Sequence, residues 1–414
     1  MSIAVIGAGA AGMMAAIAAK DAGAEEVFIL ERGNRPGWKL NITGKGRCNV
    51  TNNCDVQTLI KNVPGNGRFL YSAFNTFTSE DTMAFFEGLG VPLKTERGNR
   101  VFPVSDNAKD ISGALITAIK RRGIRIITDR ATAIEVQDGA VFAIKGEKGR
   151  YPCKAAILAT GGKSYPRTGS DGSGYRLAAG VGHTVTQLRP SLVPLEAKGN
   201  IPARLEGLSL KNIAITLSRD GKQIYNDFGE MVFTHKGVSG PVILSGSAHV
   251  ARDGLFPCTL TIDLKPALDE QTLDKRILRD FEENLNRDFS NVLGKLLPVK
   301  LIPVMIGLSG IPSNKKVNAI TKQERAALVH HVKHFELTIT GTAPIDEAII
   351  TAGGVSTKEI DPKTMASKLV DGLFFAGEVI DVDAYTGGFN LQIAWSTGMR
   401  AGQSAAERMY SYEY

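Results

Sequence analysis

Gly7, Gly9 and Gly12 stand in the spacing G-x-G-x-x-G, between an apolar run from Ile3 to Ile6 and a small-residue stretch that stops at Gly23. Glu31 follows 19 residues beyond Gly12, at the end of a second apolar run, Val27 to Leu30, with Arg32 beside it. This is chemistry for a dinucleotide. The first glycine permits a tight turn, the second lets a pyrophosphate approach the main chain, and the third lets a helix pack on its sheet. The helix N-terminus, with Ala11 in its first turn, presents unpaired amides and a positive dipole to the phosphates. Glu31 is placed to accept from ribose hydroxyls, and its charge disfavours a 2′-phosphate.

The glycine fingerprint does not separate NAD from FAD, but the far end of the chain bears on the choice. In "GLFFAGEVIDVDAYTGGFNLQIAWSTG" a short buried strand leads to Gly377 and Glu378, and a loop leads to Gly387 and Gly388, where a helix opens. A reduced flavin carries negative charge near N1, which suits a glycine-opened helix N-terminus. Glu378 would then accept from a ribityl hydroxyl. Between the two signatures lies "GWKLNITGKGRCNVTN", rich in glycine, asparagine and basic residues and without an acid.

The elements that must position these residues follow from periodicity. Strand, turn and helix from Ile3 to Gly23 and the strand to Glu31 begin a βαβ unit. "ATAIEVQDGAVFAIKGEKGRYPCKAAILATGG" alternates, turns at Asp138-Gly139, alternates again, and ends in an apolar strand, Ala155 to Leu158. From about Pro190 the texture changes to strands around Asp220-Gly221, then to helical stretches, one of which starts on a Thr321/Glu324 capping box. The nucleotide-fold texture then returns. The reading is α/β: a doubly wound domain in two segments, about 1–190 and 341–414, interrupted by an insert over about 191–340.

The motifs "GKGRCNVTN", "ATGGKSYPRTGSDGSGY", "FTHKGVSGP" and "AGEVIDVDAYTGGFNLQIAWSTG" are long, ordered and spread along the chain. With them the sequence resembles the BaiN/RdsA family of bacterial NAD(P)/FAD-dependent oxidoreductases, which includes a 3-dehydro-bile acid reductase and an aminoacetone oxidase. The resemblance implies a FAD-binding Rossmann-type domain and an insert with a β-barrel part, about 191–264, and a helical part, about 265–340. It implies that Lys39 and Arg47 lie near the pyrophosphate and that Thr43, Gly44 and Asn49 approach the ribityl chain and ring. It further implies Ala131 at the adenine, Thr160 and Gly161 at the second crossover, and Gly377, Glu378, Gly388, Asn390 and Leu391 at the ribityl and pyrimidine edge. Thr43 and Lys45 depart from the Ser-Gly-Gly-Gly more usual in the family. His235 and Ser239, ahead of a Gly-Pro helix start, read as a packing elbow, and no general acid or base is singled out.

Composition bounds the alternatives. With 49 basic against 42 acidic residues the formal net charge is +7, which permits an anionic partner without naming one. A FAD-dependent tRNA-modifying enzyme is one alternative, but the insert lacks an aromatic-rich basic stripe, so no nucleic acid is expected. A flavin-binding protein without turnover is another. Cys48 and Cys54 form C-x5-C, one residue longer than the spacing of flavin disulfide reductases, and a single G-x-G-x-x-G leaves no second fold for NAD(P)H. A dithiol mechanism is not expected. No matched attachment His or Cys points to a covalent flavin, so non-covalent FAD is expected, with NAD(P)H as a visiting donor and no metal. "AGAAGMMAAIAA" lacks the basic start of a signal peptide, and no run reaches the roughly 18 apolar residues of a membrane span. A cytoplasmic enzyme acting on a small molecule is the expectation, with its oligomeric state open.

Overall fold

The computed structural model describes residues 2–410. The chain divides into two compact units, one of Met1–Ser191 with Pro344–Tyr414 and one of Leu192–Ala343.

The first unit is built on five parallel strands: β1 (Ser2–Ile6), β2 (Glu26–Glu31), β3 (Arg125–Thr128), β4 (Ala155–Leu158) and β5 (Leu373–Phe375). Their order is β5–β4–β1–β2–β3. β4 and β5 are buried at every residue and β1 at all but its first, because helices pack on the sheet and an antiparallel sheet also packs against it, where the Phe28 and Tyr151 rings meet; apolar runs without alternation are what such a sheet demands. Helix α1 (Ala10–Asp21) joins β1 to β2, α2 (Ala108–Arg121) precedes β3, and α3 (Phe389–Tyr410) closes the unit. α1 and α3 meet main chain to main chain. A Cβ on Gly398 would lie 2.5 Å from the Ala11 carbonyl oxygen, and one on Gly402 2.2 Å from that of Ala15. The small-residue texture of both helices is therefore a packing requirement.

Beside the sheet, Ala131–Gln137 and Ala140–Gly146 form the hairpin expected at Asp138-Gly139, with both turn residues at positive φ. A small antiparallel sheet pairs Thr51–Asn52 with Arg100–Pro103. It is fixed to α3 by a buried polar cluster. The Gln392 amide oxygen accepts from the Thr51 hydroxyl (2.5 Å) and the Thr82 hydroxyl (3.0 Å), while its nitrogen donates to the Phe77 carbonyl (3.0 Å). Trp395, fully buried, donates its indole N–H to the Val50 carbonyl.

The second unit is a closed six-stranded barrel with helices. In barrel order the strands are Leu195–Ala197, Gly237–Ser239, Lys222–Phe233, Ser209–Arg219, Cys258–Asp263 and Phe335–Thr342. The last strand corrects the subdivision read from sequence, which assigned everything beyond about residue 264 to a helical part. Phe335–Thr342 pairs with both Cys258–Asp263 and Leu195–Ala197 and closes the barrel. The helical portion, including Glu270–Glu282, Ile302–Ser309 and Lys322–Lys333, is an excursion between two neighbouring barrel strands. The capping box at Thr321 and Glu324 forms as expected. No helix among the described residues is long and apolar enough to cross a membrane.

Candidate functional site

The turn between β1 and α1 explains its own glycines. Gly7 has φ +104° and lies so close to Ala159 that a Cβ would meet that carbonyl oxygen at 2.7 Å. A Cβ on Gly12 would lie 1.9 Å from the Gly7 carbonyl oxygen. Gly9 differs, since a Cβ there would meet nothing within 4 Å. Gly9 is also the N-cap of α1, with no side chain capping it and no acid in the first turn. The helix end thus keeps its positive potential and the space in front of it.

Glu31 closes this turn from β2. One carboxylate oxygen accepts from the Ala8 N–H (2.7 Å) and the other from the Gly33 N–H (2.8 Å). Its neighbour Arg32 is paired with Asp171, which also accepts from Arg130 (2.8 Å) and from the Ser173 N–H (3.0 Å). Burial, the largest single influence, would raise the Asp171 carboxyl, but the Ser173 hydrogen bonds and the charges of Arg32 and Arg130 together outweigh it and hold the group below its ordinary range. Ala131 starts its hairpin strand one residue after Arg130, partly buried against the core.

The basic loop reads differently in three dimensions. Gly37 is left-handed and opens a short helix, Trp38–Ile42, after which Gly44, Lys45, Gly46 and Cys48 all have positive φ. Lys45 is exposed. Thr43 donates its hydroxyl to the Leu40 carbonyl. Arg47 pairs with Glu96 (2.5 Å) and Asp106 (2.6 Å) and lies 4.1 Å over the Phe102 ring. Lys39 is likewise engaged, 2.8 Å from a Glu378 carboxylate oxygen and 2.8 Å from the Ser164 hydroxyl. Both cations expected at the pyrophosphate are thus paired with acids contributed by other segments.

Glu378 is the hub of a partly buried network. Its second oxygen accepts from the Thr351 N–H (2.9 Å) and the Ser164 hydroxyl (3.1 Å). A Cβ on Gly162 would lie 2.6 Å from the same oxygen, so the turn at Gly161 and Gly162 is shaped around this carboxylate. Gly377 approaches α1 so closely that a Cβ would lie 2.8 Å from that of Ala11. Asn390 bonds back across its own loop to the main chain of Ala384 and Tyr385, and Leu391 packs on the core. Gly388 packs on Thr51, where a Cβ would stand 2.4 Å from the carbonyl carbon and oxygen. That contact by itself requires a glycine at this position.

Sequence reasoning missed Ser164, Asp171 and Thr351. The first two lie in the glycine-rich "KSYPRTGSDGSG" run, and that density of Ser and Asp between glycines was the available signal. His235 is exposed and bonds Glu206; Gly240 and Pro241 start the helix Pro241–Arg252. All four cysteines are free, and burial pushes the Cys48 thiol up to about 12 and the Cys54 thiol to about 11. Neither is poised as a nucleophile.

FAD fits what is present. The open space at Gly9 and the uncapped helix end suit a pyrophosphate. The buried Thr160 hydroxyl and Asn49 side-chain oxygen have no hydrogen-bond partner among the described residues, and unmet buried polar atoms of this kind suit a polyol ligand.

Residues 1–404 match the family model described as "HI0933-like protein Rossmann domain". The chain is 35% identical over 413 residues to a "3-dehydro-bile acid delta(4,6)-reductase" of Clostridium scindens, covering 98% of this chain and 99% of that one. The chain belongs to the HI0933-like Rossmann family. It is also 31% identical over 399 residues to a "Ribosomal RNA dihydrouridine synthase" of Haemophilus influenzae, covering 95% of each. Among solved structures, a 3-ketosteroid delta1-dehydrogenase from Sterolibacterium denitrificans aligns with a TM-score of 0.52 at 13% identity, over 98% of this chain and 99% of that one, a likeness of fold. As a member of the HI0933-like family this chain is an oxidoreductase with a FAD-binding Rossmann domain.

Proposed function

We propose that the chain holds FAD without a covalent link and reduces a carbon–carbon double bond conjugated to a carbonyl in a small organic substrate, with NAD(P)H as a transient donor. The observation that carries the binding is the pairing of an uncapped α1 N-terminus, open at Gly9, with Glu31 anchored beside it. Bound there, FAD supplies the capacity to take up hydride at N5 from one partner and pass it to another. Gly7, Gly9, Ala11 and Gly12 form the phosphate turn. Glu31, held by two main-chain amides, keeps a fixed carboxylate for the adenosine ribose, and Ala131 borders the adenine. Thr160, Gly161, Asn49, Thr43 and Gly44 flank the polyol. Lys39 acts by fixing Glu378 rather than by meeting phosphate, and Gly377, Gly388, Asn390 and Leu391 hold the loop at the ring's pyrimidine edge.

The substrate class draws on the two relatives. One name describes a reductase of double bonds in a 3-oxo steroid acid, and the other describes the saturated form of uridine. Both place the reducible bond beside a carbonyl. A second reading, a uridine in RNA, is favoured by the net charge of +7 together with the relatives named for ribosomal RNA. Four free cysteines support a reducing, cytoplasmic setting.

The test is anaerobic. Protein loaded with FAD is reduced by NADH or NADPH, then mixed with a 3-oxo-Δ4 steroid, a uridine-containing RNA, or buffer. Flavin reoxidation driven by the steroid enone supports the main reading, and reoxidation by RNA alone supports the second. A flavin reduced only by amine donors and indifferent to both acceptors overturns both. Acid precipitation should leave all flavin in the supernatant, and colour retained in the pellet would refute non-covalent binding.

A further inference from the structure

We propose that Glu270, His330 and His334 form a binding site for a divalent transition-metal ion of the zinc class, unrelated to the dinucleotide crevice. One ligand atom from each residue lies within 4.8 Å of the other two, and all three side chains are open to solvent. His330 and His334 are four residues apart, at the last turn and C-cap of the helix Lys322–Lys333. That spacing puts both imidazoles on one helix face, and their ring centroids are 4.8 Å apart. Glu270 comes from a second element, the first residue of the helix Glu270–Glu282, and one of its carboxylate oxygens already lies 3.3 Å from His334 Nε2.

The scaffold beneath these side chains is fixed, which distinguishes the cluster from a chance meeting of surface residues. Leu273, Ile277 and Phe281 of one helix and Leu328, Val329 and Val332 of the other belong to one hydrophobic core. The Arg325 guanidinium bridges to both carboxylate oxygens of Asp274, at 2.6 and 3.1 Å, tying the same two helices one turn further along. Lys333 donates to the carbonyls of Lys265 and Leu268, which holds the loop leading to Glu270. Ligands on two rigid helices need only side-chain rotation to close from 4.8 Å onto an ion.

Two imidazoles and a carboxylate suit zinc, nickel, cobalt or copper(II) rather than magnesium or calcium, which prefer all-oxygen sites. Three protein ligands leave at least one position for water. The ion would join the two helices of the Leu192–Ala343 unit at their solvent-exposed ends. His331 is the internal control: its ring stands edge-on to His330, 5.6 Å between centroids, but it bonds the Leu308 carbonyl and is outside the three ligand atoms that converge.

The experiment uses the full, tag-free, FAD-loaded chain, stripped with chelator and held above the imidazole titration range so that both rings are neutral. Calorimetric titration with Zn²⁺ alone should show one tight equivalent. His334→Ala and Glu270→Ala should each weaken it by on the order of tenfold or more, and His331→Ala should leave it unchanged. Co²⁺ titration provides a second readout, since ligation by imidazole changes its visible spectrum in wild type and not in the double variant His330→Ala/His334→Ala. No saturable Zn²⁺ binding by wild type, or equal binding by that double variant, overturns the proposal.

Discussion

At the scale of single residues, Glu31 and His183 carry opposite lessons about polar groups, the first only partly buried and the second fully so. The Glu31 carboxylate is fixed within the turn, each oxygen accepting one main-chain N–H, from Ala8 and Gly33, and each keeps a lone pair for a ligand, so it is pre-organised before any ligand arrives. Replacing it by alanine should weaken FAD binding by on the order of 2 kcal/mol through lost charge-assisted hydrogen bonds. Fluorescence titration of folded Glu31→Ala with FAD measures this, and wild-type affinity would sink the ribose assignment. Because the two amides also lose their acceptor, Glu31→Gln should recover part of the loss. His183 has a fully buried side chain, its Nε2 2.8 Å from the Ser367 hydroxyl and its ring edge-on to Phe375. Burial holds its pKa below the usual imidazole value, partly opposed by the Glu359 carboxylate at 3.3 Å from Nδ1. The unfolded chain therefore takes up a proton below about pH 6.5 that the native chain refuses. The stability that His183 contributes is present above that pH and is lost as pH falls from it toward the lower folded value. Urea midpoints compared at about pH 7.5 and about pH 5.5 should differ less in His183→Leu than in wild type. Equal pH slopes would remove His183 as the cause.

At the scale of elements, the start of α3 is the sensitive joint. Gly388 has φ +100° and rests on the main chain of Thr51, whose hydroxyl in turn bonds the buried Gln392 amide one turn along the helix. The contact with Thr51 leaves no room for a larger residue at Gly388, since main chain cannot rotate away as a side chain can. Gly388→Ala should destabilise the chain by about 1–3 kcal/mol, from positive φ and the forced shift together. In the fraction that folds and loads FAD, the displaced helix end should lower the flavin's reduction potential, because a retreating dipole stabilises negative charge less. Denaturant unfolding and a redox titration run side by side test the two claims separately. A variant matching wild type in both would mean that this helix start tolerates a Cβ and does not face the flavin.

At the scale of the molecule, the insert is closed on itself. Its first strand pairs with its last, Leu195 opposite Thr342, and the barrel encloses its own core around Leu260, Phe233 and Phe335. In the other unit, Arg189–Ser191 pairs with Ile350–Ala352, so the chain leaves and re-enters that unit along one ladder. Each unit thus satisfies its own strand edges near the crossing points, and Leu192–Ala343 expressed alone should fold cooperatively. A sigmoidal thermal transition by circular dichroism, with dispersed amide resonances, is the expected result. A broad, non-cooperative melt would show that its core needs the rest of the chain.

What the sequence determined by itself was local and periodic. The glycine fingerprint, the uninterrupted apolar strands, the Asp-Gly turns and the Thr321/Glu324 cap each encode a backbone angle or a burial pattern within a few residues. These sufficed for a doubly wound nucleotide fold with an insert. Tertiary structure alone decided where the charges went and which strand closed the barrel. Lys39 meets Glu378 across 339 positions and Arg47 meets Glu96 and Asp106 across 49 and 59, so a loop that reads as cationic is neutralised in place. The alternating run Phe335–Thr342 carries no mark of its partners, because alternation states which face is buried and not which edge is shared. Ion pairs and strand neighbours depend on which distant segments the fold brings together, and that is a property of the packed chain.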